Sequence, residues 1–218
     1  MIFAKPTKYK AGISLYGDYR DLSSLHSTVH QLADRIPLAG HFEEFIASFA
    51  YELRHAYQGD RETIEFGDEG FDRDTYFGCS ILWPYHLLYV GFLRWAAAFN
   101  PTTKEIQGNL FLLESCTERA LLEADPKVGS ECIQWLSQFD GFPSNYLLAF
   151  IDDCCFDYIT VETQGKRRFQ SLPSTLRRLD PISNEYLAFE EQLQQISKFQ
   201  KCSPHDLHNR EEWPEFKW

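Results

Sequence analysis

One arginine and one histidine near the start of the chain are of the types that cleave phosphodiesters. Arg20 precedes His26 by six positions in the stretch RDLSSLH. A guanidinium binds phosphate through several donors, and an imidazole exchanges protons near neutral pH. On a regular helix, six positions rotate the second side chain by about 240° from the first. The two groups therefore meet only if the chain enters the helix through a kink.

The stretch RDLSSLH resembles the short Arg and His motif of HEPN ribonucleases. That resemblance implies a metal-independent ribonuclease using Arg20 and His26. The same residues also have a structural interpretation. Gly17 ends a short strand, Asp18 can cap a helix, and Asp21 lies in the first turn, where negative charge is favoured. We favour the capped helix and expect no catalytic pair.

His26 and His30 are four positions apart and share one helix face. Two imidazoles at this spacing hold a transition metal when a carboxylate completes the site. No Glu stands beside the first His as in the H-E-x-x-H pattern of metalloproteases. We interpret the pair as the polar flank of an amphipathic helix, and we expect neither a metal nor another cofactor.

Three charged residues stand in strongly apolar stretches: Arg54 in YELRHAY, Arg94 in GFLRWAA and Glu114 in LFLLESC. A buried charge is costly unless it is paired and hydrogen-bonded. We therefore predict an internal Arg–Glu network in which Arg94 is largely buried and pairs with Glu114. Glu52 is an additional candidate partner. The alternative is that Arg54 and His55 line a pocket that binds an anion.

The stretch IDDCCFDYITVE carries four carboxylates, Asp152, Asp153, Asp157 and Glu162. Asp153 and Asp157 share a helix face and are of the type that binds Mg²⁺ together with a substrate phosphate. Such a site indicates a metal-dependent hydrolase. The carboxylates also fit the wet side of a helix, and we favour that interpretation because the other side is apolar: Leu147, Leu148, Ile151, Cys155 and Ile159.

Residues 60–74 hold seven acidic residues and two arginines, with aromatic residues between them. Acidic and aromatic side chains together suit the rim and anchor of a protein interface. We predict that residues 60–76 form a protein-binding surface directed at a basic partner. The predicted contact residues are Asp68, Glu69, Phe71, Asp72, Asp74 and Tyr76. A solvated hairpin loop without a partner is the alternative.

The formal net charge is −11, so general affinity for nucleic acid is not expected. An acidic protein suits a basic partner, although net acidity also serves solubility. One segment has the opposite sign and either binds a phosphate or pairs with the protein's own acids; it contains Lys166, Arg167, Arg168, Arg177 and Arg178.

Periodicity predicts a mainly α, multi-helix single domain with a small antiparallel β element in its N-terminal half. Short strands are expected at AGISLY, RETIEF and DTYFGCSIL, the last two as a hairpin. The predicted helices follow Asp18, cover HFEEFIASFAYELRHAY and PYHLLYVGFLRWAAAF, and span about 102–124, 127–139, 144–160 and 182–201. The segment TQGKRRFQSLPSTLRRL is predicted to be a loop with a short turn. Residues 1–200 form the domain, and residues 201–218 a polar tail.

Six cysteines without a C-x-x-C spacing indicate small apolar residues and no zinc site. The first residues lack the apolar stretch of a secretory signal. The longest apolar stretch is interrupted by Pro84, His86 and Arg94, which argues against a membrane span. We expect a cytoplasmic protein without a membrane partner.

The stretches GISLYGDYRDLSSL, YELRHAYQG and WPYHLLYVGFLR resemble uncharacterised bacterial proteins over about the first two thirds of the chain. The resemblance implies no activity. We therefore expect a non-enzymatic, acidic protein-binding protein, of the kind of a bacterial immunity protein or antitoxin that occludes a basic toxin or nuclease. The alternative is an enzyme that acts on nucleic acid, either a HEPN-like ribonuclease or a metal-dependent hydrolase.

Overall fold

The computed structural model describes residues 1–34, 41–66, 74–141, 146–160, 165–180, 182–204, 207 and 213–218. The strands in these ranges are β1 (Phe3–Pro6), β2 (Gly12–Gly17), β3 (Glu62–Phe66) and β4 (Asp74–Leu82). The helices are α1 (Tyr19–Ala33), α2 (His41–Tyr57), α3 (Trp83–Phe99), α4 (Lys104–Ala124), α5 (Pro126–Ser137), α6 (Leu147–Thr160), α7 (Gly165–Arg178) and α8 (Asn184–Gln200). The prediction of a mainly α protein with a small antiparallel sheet in the N-terminal half is confirmed.

The four strands form one antiparallel sheet in the order β1-β2-β4-β3. β2 lies beside β4 with Leu15 opposite Cys79, and β3 pairs with β4 as the hairpin predicted from the sequence. β1 was not predicted. It has four residues and ends at Pro6, so it offers little alternation to detect, and its pairing with β2 depends on the rest of the sheet.

The two faces of the sheet differ because side chains alternate along each strand. Ile13, Leu15 and Cys79 are fully buried on the inner face, where β2 and β4 contact the helices. On the outer face Tyr16 and Tyr76 are half-buried. The sheet thus forms one wall of the core and presents its other side outward.

Helix α1 begins where the sequence predicts. Asp18 Oδ1 accepts a hydrogen bond from the backbone N–H of Asp21 at 2.8 Å, which satisfies one of the donors left free at a helix start. Leu22, Leu25 and Val29 are fully buried along one side. This apolar side packs α1 against α2 and holds the more polar side of α1 outward.

Helix α3 runs through the centre of the molecule. It follows β4 directly, and Pro84 occupies its first turn, where the missing N–H costs nothing. Trp83, Leu87 and Phe92 are fully buried. The helix contacts α1, α2, α4, α6 and α7, which explains why its sequence is apolar on nearly all sides.

The prediction of a loop for TQGKRRFQSLPSTLRRL is wrong for the described residues, because Gly165–Arg178 form the regular helix α7. Its basic residues and Pro173 favoured a loop in the sequence, although the segment also contains an apolar stripe at helical spacing. Phe169, Leu172 and Leu176 lie three and four positions apart and are fully buried. Burial of this stripe outweighs the backbone hydrogen bond that Pro173 cannot donate.

The C-terminal segment, residues 213–218, returns to the body of the protein. The backbone N–H of Tyr9 donates to the carbonyl of Trp218 at 2.7 Å. Arg168 is 1% exposed, and its Nη1 donates to the carbonyl of Lys217 at 3.2 Å. Phe216 packs against the core. The end of the predicted polar tail is therefore fixed by a backbone hydrogen bond from Tyr9 and a side-chain hydrogen bond from Arg168.

The cysteines are all thiols and form no disulfide. Five of them are buried and Cys202, just after α8, is half-buried. Burial raises the pKa of Cys79 and of Cys116 to about 12, so these thiols stay protonated at neutral pH. None of the described helices combines the length and apolar character needed to span a membrane.

Candidate protein-binding surface

The outer face of the sheet carries an aromatic cluster formed by Phe3, Tyr16 and Tyr76. The rings of Phe3 and Tyr16 stack with centroids 5.2 Å apart. Tyr76 meets Phe3 edge-on at 5.5 Å. All three side chains are half-buried, and Ile64, opposite Tyr76 in the sheet, is half-buried as well. This face therefore offers a preassembled apolar platform formed by residues from all four strands.

Carboxylates lie on the same face as the aromatic cluster. Glu62 is exposed and accepts hydrogen bonds from the hydroxyl of Tyr16 at 2.5 Å and from that of Ser80 at 2.9 Å. Partial burial, together with the bond to Glu62, raises the pKa of Tyr16 to about 12. Tyr16 therefore remains a neutral donor at physiological pH and fixes the carboxylate beside the rings.

Only part of the predicted contact set falls on described residues. Asp68, Glu69, Phe71 and Asp72 lie outside them. Asp74 is exposed at the start of β4 and belongs to the outer face, because it lies two positions before Tyr76 and side chains two apart on a strand share a face. Tyr76 belongs to the aromatic cluster. The acidic sequence between β3 and β4 thus connects directly to the strands that carry the cluster.

Arg94 and Glu114 form a bidentate ion pair between α3 and α4. Arg94 Nε donates to Glu114 Oε1 at 2.5 Å, and Nη2 donates to Oε2 at 2.6 Å. Nη1 donates to Gln107 at 3.0 Å, and the guanidinium lies 4.7 Å from the ring centre of Phe111. Arg94 retains 35% of its side-chain exposure, so it is half-buried rather than largely buried as expected.

The structure does not bring Arg20 and His26 together. Arg20 is exposed, and no hydrogen bond joins the two side chains in the described part of the chain. The ring of His26 instead contacts those of His30, at 4.6 Å, and Tyr57, at 5.7 Å. Partial burial, followed by the charges of His30 and Arg54, lowers the pKa of His26.

The other charges of α2 also differ from expectation. Arg54 is exposed and lies over the ring of Tyr51 at 5.4 Å, so it belongs to no internal network. Glu52 pairs with Arg61 through two hydrogen bonds of 2.9 and 3.1 Å. His55 Nδ1 is 2.9 Å from Asp60 Oδ2. Residue type alone did not show that Arg54 lies on the solvent side of α2.

The described carboxylates of α6 are divided between two partners, Arg178 and Tyr85. Arg178 contacts Asp157 at 2.8 Å and Asp153 at 3.9 Å, and Asp152 accepts from the hydroxyl of Tyr85 at 2.5 Å. Glu162 lies outside the described residues. The described side chains contain no group of three or more His, Cys, Asp or Glu suited to a metal ion. The basic segment is thus divided as well, with Arg178 paired and Arg168 buried.

Comparison with known proteins identifies a family for the chain but no activity. Neither a curated protein sequence nor a solved structure matches it. A family model described as a domain of unknown function (DUF6904) matches residues 2–218. The resemblance to an uncharacterised family is confirmed, and it extends over nearly the whole chain rather than its first two thirds. The chain is therefore a member of the DUF6904 family.

Proposed function

We propose that this protein is a non-enzymatic, acidic binding protein that docks a basic partner on the outer face of its sheet. The observation that supports the proposal is the aromatic cluster of Phe3, Tyr16 and Tyr76 beside the carboxylates of Glu62 and Asp74. At the finer level, the proposed role is that of a bacterial immunity protein or antitoxin that covers a basic toxin or nuclease.

The two kinds of residue on this face serve different steps of binding. The carboxylates, together with the acidic residues between β3 and β4, attract a basic surface and speed association in a salt-dependent way. The aromatic rings supply apolar area that is desolvated in the complex and slows dissociation. Because the rings already pack on one another, they lose little conformational freedom on binding.

A charge-reversal experiment tests the proposal once a partner has been isolated from the native cell. The variant Asp68→Lys/Glu69→Lys/Asp72→Lys changes three acids that lie between β3 and β4 in the sequence. A matched control, Glu118→Lys/Glu123→Lys/Glu131→Lys, reverses three exposed acids of α4 and α5. Both variants change the net charge by the same amount. The association rate is measured for each across a range of salt concentrations.

The first variant is expected to lower the association rate by about tenfold or more at low salt and to flatten its salt dependence. The control variant of α4 and α5 should change the association rate much less. A further variant, Tyr76→Ala, should mainly raise the dissociation rate. Equal effects of the two triple variants would assign the attraction to net charge alone and reject the outer face as the interface. If the parent protein cleaves RNA and the variant His26→Ala does not, the protein is a ribonuclease and the proposed binding function is rejected.

A further inference from the structure

A second aromatic cluster lies on the helical side of the molecule and combines three distant segments. Tyr85 belongs to α3, Phe156 to α6, and Trp213 to the C-terminal segment. The ring centre of Trp213 lies 6.4 Å from that of Tyr85 and 6.3 Å from that of Phe156. The planes are tilted by 30° in the first pair and by 78° in the second. The ring of Trp213 thus lies alongside that of Tyr85 and meets that of Phe156 at a steep angle, which forms an open corner between Trp213 and Phe156.

A carboxylate completes this cluster. Asp152 lies one helical turn before Phe156 on α6, so the two share a face. Its Oδ1 accepts the hydroxyl hydrogen of Tyr85 at 2.5 Å. Among the described residues no Lys, Arg or His forms an ion pair with Asp152, whereas Asp153 and Asp157 on the same helix both meet Arg178. Within the described ranges, the cluster therefore carries a carboxylate that no basic side chain pairs.

The cluster is both accessible and held in place. Trp213 is 44% exposed, and Asp152 is exposed. Behind Tyr85, the ring of Phe45 packs at 6.1 Å. The C-terminal segment is fixed by the hydrogen bond from Arg168 to the carbonyl of Lys217. A ligand thus meets side chains that are positioned before it arrives.

We infer that Tyr85, Phe156, Trp213 and Asp152 form a binding site for an organic ammonium group. The face of an aromatic ring attracts a cation within about 6 Å of its centre, and the carboxylate adds a full opposite charge. A compact ammonium fits the corner between Trp213 and Phe156, whose rings meet at a steep angle, whereas a planar guanidinium prefers to stack flat on a ring. Asp152 repels an anionic ligand.

The ammonium group has two possible sources, a free quaternary ammonium compound or a lysine side chain, methylated or not, on another protein. The site is independent of the outer face of the sheet, because none of its residues belongs to a strand. Its existence therefore does not depend on the proposed function, and the two are tested separately.

The test follows the indole N–H signal of Trp213 by nuclear magnetic resonance, with the signal assigned from the variant Trp213→Phe. Choline chloride is the cationic probe, and 3,3-dimethylbutan-1-ol is its neutral counterpart of similar shape. Peptides carrying lysine or trimethyllysine distinguish the two sources of the ligand. Choline is expected to shift the signal in a saturable manner, and the neutral alcohol to bind about tenfold more weakly or not at all.

Two variants separate the charge from the fold. Asp152→Asn leaves the C-terminal segment untouched and should weaken choline binding by about tenfold. Asp153→Asn is its matched control and should bind like the parent. An unshifted indole signal in the presence of choline, equal binding of the neutral alcohol, or an unchanged affinity in Asp152→Asn would each overturn the inference. Normal choline binding by the charge-reversal variant of residues 68–72 would confirm that this site is separate from the outer face.

Discussion

At the scale of single residues, the guanidinium of Arg94 combines an ion pair, a hydrogen bond and a contact with an aromatic ring. It binds Glu114 through two hydrogen bonds, reaches Gln107 and covers Phe111. Ion pairs in full solvent contribute about 0.2–1 kcal/mol, and breaking a fully buried pair costs about 3–5 kcal/mol. Because Arg94 is half-buried, Arg94→Ala is expected to lower the free energy of unfolding by about 1–2 kcal/mol.

Chemical denaturation of Arg94→Ala, Glu114→Ala and the double variant measures this coupling. Arg119→Ala is the control, since Arg119 is exposed on α4 and donates to the backbone carbonyl of Ser115 on the same helix. A denaturation midpoint for Arg94→Ala equal to that of the parent would show that the pair does not stabilise the contact between α3 and α4.

The buried His86 is expected to make the stability of the protein depend on pH. It is fully buried on α3, its Nε2 lies 2.8 Å from Thr117 Oγ1, and its Nδ1 has no partner among the described side chains. Thr117 donates its own hydroxyl hydrogen to Leu113, so His86 is the donor in their contact. Burial lowers the pKa of His86 to about 3. The folded protein therefore holds this imidazole neutral.

The unfolded chain binds a proton at His86 below about pH 6.5, whereas the folded chain does so only near pH 3. The neutral, buried His86 therefore costs the folded state nothing in proton binding above about pH 6.5. As the pH falls from there toward 3, the free energy of unfolding decreases, because only the unfolded chain gains a proton at this residue. Between pH 7 and pH 5 the loss from this one group is about 2 kcal/mol. In the variant His86→Gln, the free energy of unfolding should fall by about 2 kcal/mol less between pH 7 and pH 5 than it does in the parent. Urea denaturation at both pH values measures this difference. An equal loss in parent and variant would contradict the assignment.

The comparison of Arg94, Arg54 and Arg168 shows what residue types predict. Arg54 and Arg94 stand in apolar sequence, and Arg168 stands in a basic segment. Arg94 meets the carboxylate named from the sequence, but Arg54 faces solvent. Arg168, which belongs to the basic segment expected to bind a phosphate or to pair with acids, is buried and donates to the backbone carbonyls of Ile159 and Lys217. Which side of a helix faces the core depends on its neighbours, and residue type does not contain that information.

At the scale of elements, the start of α1 gives a direct prediction. Asp18→Ala removes the acceptor for the N–H of Asp21 and is expected to lower the free energy of unfolding by about 1 kcal/mol. Asp18→Asn is the matched control, because Asn caps about as well as Asp. Thermal or chemical denaturation distinguishes the two. Equal destabilisation by both variants would mean that the charge of Asp18, and not its capping bond, stabilises the helix.

Elements with strong periodicity were predictable, and elements formed through their neighbours were not. The cap and apolar stripe of α1, and the apolar stretch and Pro84 of α3, are local features of the sequence, and the hairpin of β3 and β4 follows from alternation. β1 is short and gains its hydrogen bonds from β2. α7 contains Pro173 and a basic face, and only its buried stripe against the rest of the core makes it helical.

At the scale of the whole molecule, both candidate sites arise from residues far apart in sequence. The sequence indicated Tyr76 and the acidic residues around it, but not Phe3 and Tyr16, which join Tyr76 through the strand order β1-β2-β4-β3. Tyr85, Phe156 and Trp213 meet only because the C-terminal segment folds back. Composition indicates the chemistry of such sites, whereas the chain path determines which residues they contain.

The distribution of the thiols allows the native protein to be labelled selectively at one cysteine. Five cysteines are buried, and Cys202 alone of the six is half-buried. A maleimide is therefore expected to attach once to the folded chain and six times after denaturation, which intact mass spectrometry counts. Rapid labelling of more than one cysteine under native conditions would contradict the packing around the buried thiols. A fluorophore placed on Cys202 modifies neither candidate site and can report the binding of a partner or of an ammonium ligand to the unmutated protein.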